Sequence, residues 1–140
     1  GIIEGQAHET LRLRDRLDAD VAILADVAVK HSAPLGERTL GGAVADAIER
    51  GNADGLVVSG PATGETTDAN DLRRVTDKRD KLGTSDPVLV GSGVTAANVG
   101  ELLSVADGAI VGTALKEDGV TTKPVETTRV AEVVTASDQQ

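Results

Sequence analysis

"VLVGSGVTAANV", residues 88–99, decides how this chain folds. The apolar run Val88 to Val90 meets Gly91-Ser92-Gly93, and Thr95 and Asn98 follow. A short, unbroken apolar run is the pattern of a strand covered on both faces, as in a parallel sheet. The glycines then read as the handover to a helix, with Thr95 as a natural N-cap. The same design returns at "GAIVGTALK", residues 108–116.

Outward from this stretch the chain alternates. Apolar runs at 20–29, 54–60, 87–93 and 107–112 predict strands. Amphipathic stretches at 6–17, 39–51, 67–83, 95–106 and 123–138 predict helices; Gly51 and Gly83 close the second and third. The last takes its apolar residues from Val125, Val130, Val133 and Val134. Strands spaced by helices read as consecutive βαβ units, hence α/β with a parallel sheet. Two architectures fit: an open flavodoxin-like sheet, or about four units of a (β/α)8 TIM barrel. "ADGLVVSG" and "ADGAIVG" look alike, and repetition of one unit favours the barrel. The length of 140 residues suits a single α/β domain. The chain opens at "GIIEG" without Met, which suggests a domain cut from something longer.

Composition narrows the function. There is no Phe, Tyr, Trp, Met or Cys, so the core must be Val, Leu, Ile and Ala. Without aromatic side chains, stacking on nucleic-acid bases has nothing to work with. The net charge of −9 gives no basic face for phosphate backbones, so no nucleic-acid partner is expected. Asp outnumbers Glu and Arg outnumbers Lys, an acidic composition of the haloarchaeal, high-salt kind. Absence of Cys removes thiolate metal sites and cysteine nucleophiles, and His8 and His31 are too few for a histidine cluster; neither metal nor cofactor is expected. No apolar run is long enough to span a membrane, so a cytoplasmic protein is expected.

In either architecture chemistry gathers at the carboxyl ends of the strands. After the first strand come Asp26, Lys30 and His31, the candidates for proton transfer or carbonyl polarisation. After the second comes "SGPATGETTD", where Ser59, Gly60 and Thr63 either close over a ligand or simply connect. After the third and fourth come Gly91, Ser92, Gly93 and Thr95, then Gly112 and Thr113. Glycines let backbone come close to a ligand, and several N–H groups then point at one spot. Two such ends side by side make a phosphate cradle; the alternative is that they only make tight turns. "SGPATGETTD" is not the G-x-x-x-x-G-K-[ST] phosphate loop, because no Lys follows its glycines.

"GIIEGQAHE", "LADVAVKHSAPLG", "ADGLVVSGPATG", "VLVGSGVTAANV" and "ADGAIVGTALKEDG", in this order, resemble the BtpA/SgcQ family of TIM-barrel proteins from Gly1 to about Val134. The resemblance implies the C-terminal half of a barrel, with these strands as the fifth to eighth. It places Gly91, Ser92, Gly93, Gly112 and Thr113 in a phosphate-type motif, and Asp26, Lys30 and His31 in the fifth-strand motif. The family is linked by name to photosystem I biogenesis, and some members carry the name of a phosphoribosylanthranilate isomerase. That isomerisation, in the family known for it, uses a cysteine base, which this chain lacks. The expectation is a binder of a phosphorylated sugar- or nucleoside-type molecule with isomerase- or lyase-type chemistry. A non-enzymatic assembly factor, or an inactive truncated half-barrel, is the alternative. Open sheet edges imply self-association.

Overall fold

The computed structural model describes residues 2, 4–27, 35–60 and 67–138. Four short strands form one sheet: β1 (Leu24–Asp26), β2 (Gly55–Val58), β3 (Val88–Val90) and β4 (Gly108–Ala109). All pairs are parallel and the order is β1-β2-β3-β4. Sequential order without a reversal is what a barrel wall requires. It departs from a flavodoxin-like sheet, whose order reverses at a switch point.

Register sorts the side chains into two faces. Ala25 pairs Leu56, Leu56 pairs Val88 and Val90 pairs Ala109. Leu56, Val58, Val88 and Val90 are sealed in the core. Helices cover that face: α2 (Leu40–Ala45) through Val44, α3 (Ala69–Lys81) through Leu72 and Val75, α4 (Val99–Leu103) through Val99 and Leu102, and α5 (Thr127–Ser137) through Val133. α1 (Ala7–Arg16) buries none of its residues. The other face carries Leu24, Asp26, Val57, Leu89 and Ile110, and Leu24 and Ile110 are 44% and 48% exposed. Large residues there stand beside glycines of the neighbouring strand. A Cβ on Gly55 would lie 2.8 Å from Leu24 Cδ2, and one on Gly108 2.9 Å from Leu89 Cδ2. The four strands thus make a half-barrel wall, helices outside and a large-small mosaic on the open inner face.

Two copies of one latch tie the amino ends of the strands. The Asp54 carboxylate accepts from the Ile23 N–H and from Arg14 of α1, both at 2.7 Å. The Asp107 carboxylate accepts from the Val88 N–H at 2.8 Å and from Arg79 of α3 at 2.7 Å. The shared "ADG" therefore marks a repeated structural device, one Asp satisfying a strand-entry amide and holding a helix by its arginine. The Ile23 N–H, with Arg14 adding to it against some burial, lowers the Asp54 pKa. Burial alone would lower the pKa of Arg79, but Asp80 and Asp107 outweigh it and raise it.

Several boundaries differ from the sequence reading. The first strand is Leu24–Asp26 within the expected 20–29, because residues 20–23 enter as extended loop. The helix at 39–51 is capped by the Thr39 hydroxyl, which accepts from Gly42 N–H at 3.1 Å. It then widens into a π turn, Asp46–Arg50, where Gly51 N–H reaches Asp46 O at 2.7 Å. The helix expected from Thr95 begins at Val99 and is five residues long. Asn98 is the reason. Its Oδ1 accepts from Thr95 N–H at 2.7 Å and its Nδ2 donates to Gly93 O at 2.9 Å, holding 93–98 as a turn. Thr95 is therefore not an N-cap, and α4 is too short to add a useful dipole at this point.

Candidate functional site

The carboxyl ends of β3 and β4 border a groove of about 560 Å³. Gly91, Ser92, Gly93 and Thr95 line it together with Gly112 and Thr113, and Arg129 and Glu132 of α5 line it too. The structure thus brings together all six residues that the sequence reading assigned to an anion cradle. Their local reasons differ. Gly91 is a steric necessity, since a Cβ there would lie 2.5 Å from Val57 Cγ1 and 2.6 Å from Ser59 Oγ. Gly93 has φ +69°, the left-handed region. Gly112 has ordinary negative φ, and a Cβ there would meet nothing within 4 Å.

Some backbone donors at this edge are occupied and others are open. Gly91 N–H is consumed by Val58 O at 2.8 Å, and Thr95 N–H by Asn98. Among the described residues, the N–H groups of Gly93, Gly112, Thr113 and Ala114 have no protein acceptor. The short 3₁₀ turn Thr113–Leu115 starts at these last two, which leaves its first amides without internal partners. Ser92 has a different job. Its buried hydroxyl accepts from Gly60 N–H at 2.7 Å. Its carbonyl accepts from buried Thr67 Oγ1 at 3.2 Å, and Thr67 also reaches Val58 O at 3.3 Å. Both ends of the 59–68 connection are thereby stitched to β3, so Gly60 is positioned by Ser92.

At the far side of the same edge, Ser59 Oγ donates to Asp26 Oδ2 at 2.9 Å. Asp26 projects on the inner face beside Val57 and is exposed. The expected catalytic residue of β1 and the expected loop residue of β2 are therefore one hydrogen-bonded pair. Lys30, His31 and Thr63 lie outside the described residues.

Sequence reasoning missed three contributors. Asn98 had a visible signal, an amide side chain three residues beyond Thr95, the spacing of a local side-chain cap. Thr67 reads from sequence only as a helix start. Arg129 has no sequence signal, because nothing local says that α5 returns its first turns to the groove. Arg129 Nε donates to Glu126 Oε2 at 2.8 Å, and its side chain is 36% exposed.

Comparison with known proteins gives one consistent picture. The model of the BtpA family matches residues 1–139. The photosystem I biogenesis protein BtpA of Synechocystis sp. is 47% identical over 136 residues, covering 97% of this chain and 46% of that protein. The N-(5'-phosphoribosyl)anthranilate isomerase structure of Pyrococcus furiosus superposes with a TM-score of 0.62 at 19% identity, covering 96% of this chain and 58% of that one. The YdjI aldolase structure of Escherichia coli gives 0.50 at 18% identity, covering 95% and 51%. These two show the fold alone, the TIM-barrel wall. The chain spans about half the length of the curated relatives it matches. No helix among the described residues is long and apolar enough to cross a membrane.

Proposed function

The chain belongs to the BtpA family, and from that premise we propose that it binds a phosphorylated sugar- or nucleoside-type molecule in the cytoplasm. The observation that carries this reading is the open amide set of Gly93, Gly112, Thr113 and Ala114 around one groove. Backbone N–H groups left without protein acceptors at one groove favour an anion there. We read the four strands as the fifth to eighth of the family's barrel, in a single α/β domain. Asp26, with Lys30 and His31, then acts on the far end of the ligand. The Asp26–Ser59 hydrogen bond supports that placement, since it fixes a proton acceptor on the inner face. Isomerase- or lyase-type proton transfer is the chemistry such a group serves.

The test uses Gly112→Val. The wild-type chain and the variant are titrated with inorganic phosphate, glycerol 3-phosphate and ribose 5-phosphate while the melting temperature is followed. A Cβ at Gly112 would meet nothing within 4 Å, so the side chain enters the groove, and the unliganded melting temperature of the variant reports that it is folded. Stabilisation of wild type alone supports the cradle. A wild type indifferent to every phosphate removes it, and equal gains place the ligand elsewhere.

A second reading is a non-enzymatic assembly factor, as the name of the Synechocystis relative suggests for that protein. The observation in its favour is the half-exposed inner face, with Leu24 and Ile110 available to a partner. In the first reading, by contrast, a second copy covers that face. A half-turn about the barrel axis brings β4 of each copy beside β1 of the other, all strands parallel, and closes both edges. Native mass separates these cases: a dimer that binds phosphate esters supports the first reading, and a monomer indifferent to phosphate the second.

A further inference from the structure

The groove lies in a chain of net charge −9, and Glu132 faces it. Neutral amides alone must then attract an anion against an unfavourable field. Among the described residues that line the groove, Arg129 is the one cation. It stands on the first turns of α5 and lines the same groove as Gly93 and Gly112. Glu126, one turn earlier, takes only its Nε, at 2.8 Å. Nη1 and Nη2 have no acceptor among the described residues. A guanidinium held at one edge has lost part of its freedom already and still offers a forked pair of donors. That fork matches two oxygens of a phosphate and gives planar, two-point recognition.

We infer that Arg129 is the charged ligand of the groove, held by Glu126, and that it selects the dianionic end of a phosphomonoester. This rests on the phosphate reading above and names the charge class of its ligand. The amides of Gly93, Gly112, Thr113 and Ala114 fix the position, and Arg129 supplies the charge. Glu126 is a positioning residue, because it touches Arg129 and not the ligand.

The experiment measures glycerol 3-phosphate affinity by calorimetry from about pH 5 to 7.5, spanning the second phosphate ionisation near 6. Glycerol is the uncharged control. The chains are wild type, Arg129→Gln, Arg129→Lys and Glu126→Gln. Wild-type affinity should rise with pH. Arg129→Gln should weaken binding at pH 7.5 about tenfold or more, the scale of a charged hydrogen bond, and flatten the pH profile. Arg129→Lys should recover part of the affinity and keep the pH dependence, since it restores charge without the fork. Glu126→Gln should loosen binding less than Arg129→Gln and leave the profile's shape. Should Arg129→Gln fail to fold, Arg129→Lys decides alone through a loss of affinity with an unchanged melting temperature. If Arg129→Gln binds as wild type does, with the same profile, Arg129 is not a ligand and the cradle survives without it. If wild type binds no phosphate at any pH, the cradle falls and this assignment falls with it.

Discussion

Gly91, Gly93 and Gly112 differ in what a methyl group would meet, and each difference can be measured. Alanine at Gly93 must adopt φ +69°, which costs an L-residue roughly 1–2 kcal/mol. Alanine at Gly112 meets open space at a negative φ, so it should cost less than alanine at Gly93. Urea denaturation of the two variants should show this gap. If Gly112→Ala is the more damaging, the space beside Gly112 is not open in solution. Asp54 makes a second residue-scale prediction. Its pKa is lowered by the Ile23 N–H and Arg14, so the folded state holds its proton less readily than the unfolded chain. The associated stability is present above the ordinary value of 3.8 and is lost as pH falls through the lowered one. Between about pH 5 and pH 3 the melting temperature of wild type should fall more steeply than that of Asp54→Asn. Parallel slopes would show that this carboxylate does not couple folding to protons.

Helices expose the limits of sequence periodicity more clearly than strands do. In α3, Leu72, Val75 and Thr76 share one face, and all three are buried. In the last helix, Val125, Val130, Val133 and Val134 looked equivalent. Only Val133 is buried, while Val134 is 52% exposed and Val125 precedes the helix at 54%. The period tells which residues share a face, and depth is set by what packs on that face. Leu72→Ala should therefore cost about 2–5 kcal/mol, and Val134→Ala no more than about 0.5. Chemical denaturation measures both, and similar losses would mean that α5 is covered in solution. The residues that line the groove were legible because a glycine follows the apolar run at each of two adjacent strand ends, a local pattern. The Asn98 turn shows where that legibility ends, since one side chain moved the helix start from Thr95 to Val99. The Asp26–Ser59 pair joins residues 33 positions apart, and only the strand register brings them together.

At the scale of the molecule, the acidic surface and the half-barrel wall set behaviour. With net charge −9 the folded chain repels itself, and added salt should relieve that. Screening length falls from about 10 Å at 0.1 M to about 3 Å at 1 M. The melting temperature should rise as KCl is raised from about 0.1 to 2 M. A flat response would show that acidic repulsion does not limit stability and would weaken the high-salt reading of the composition. The Arg14–Asp54 and Arg79–Asp107 latches work against this trend, because salt weakens exposed pairs, so the rise should steepen in Asp54→Asn. The notch at Gly91 has a consequence for how the wall assembles. Val57 Cγ1 and Ser59 Oγ fill the space where a Cβ would sit. Sliding β3 by one residue would drive the side chain of Val90 or Ser92 into that space and turn its apolar row away from the helices. Sliding by two would offer either Leu89, which does not fit, or Gly93, whose backbone is left-handed and cannot continue the strand. Gly91 therefore works as a key for alignment: β2 accepts β3 in one registration and rejects its near misses while the chain is still folding.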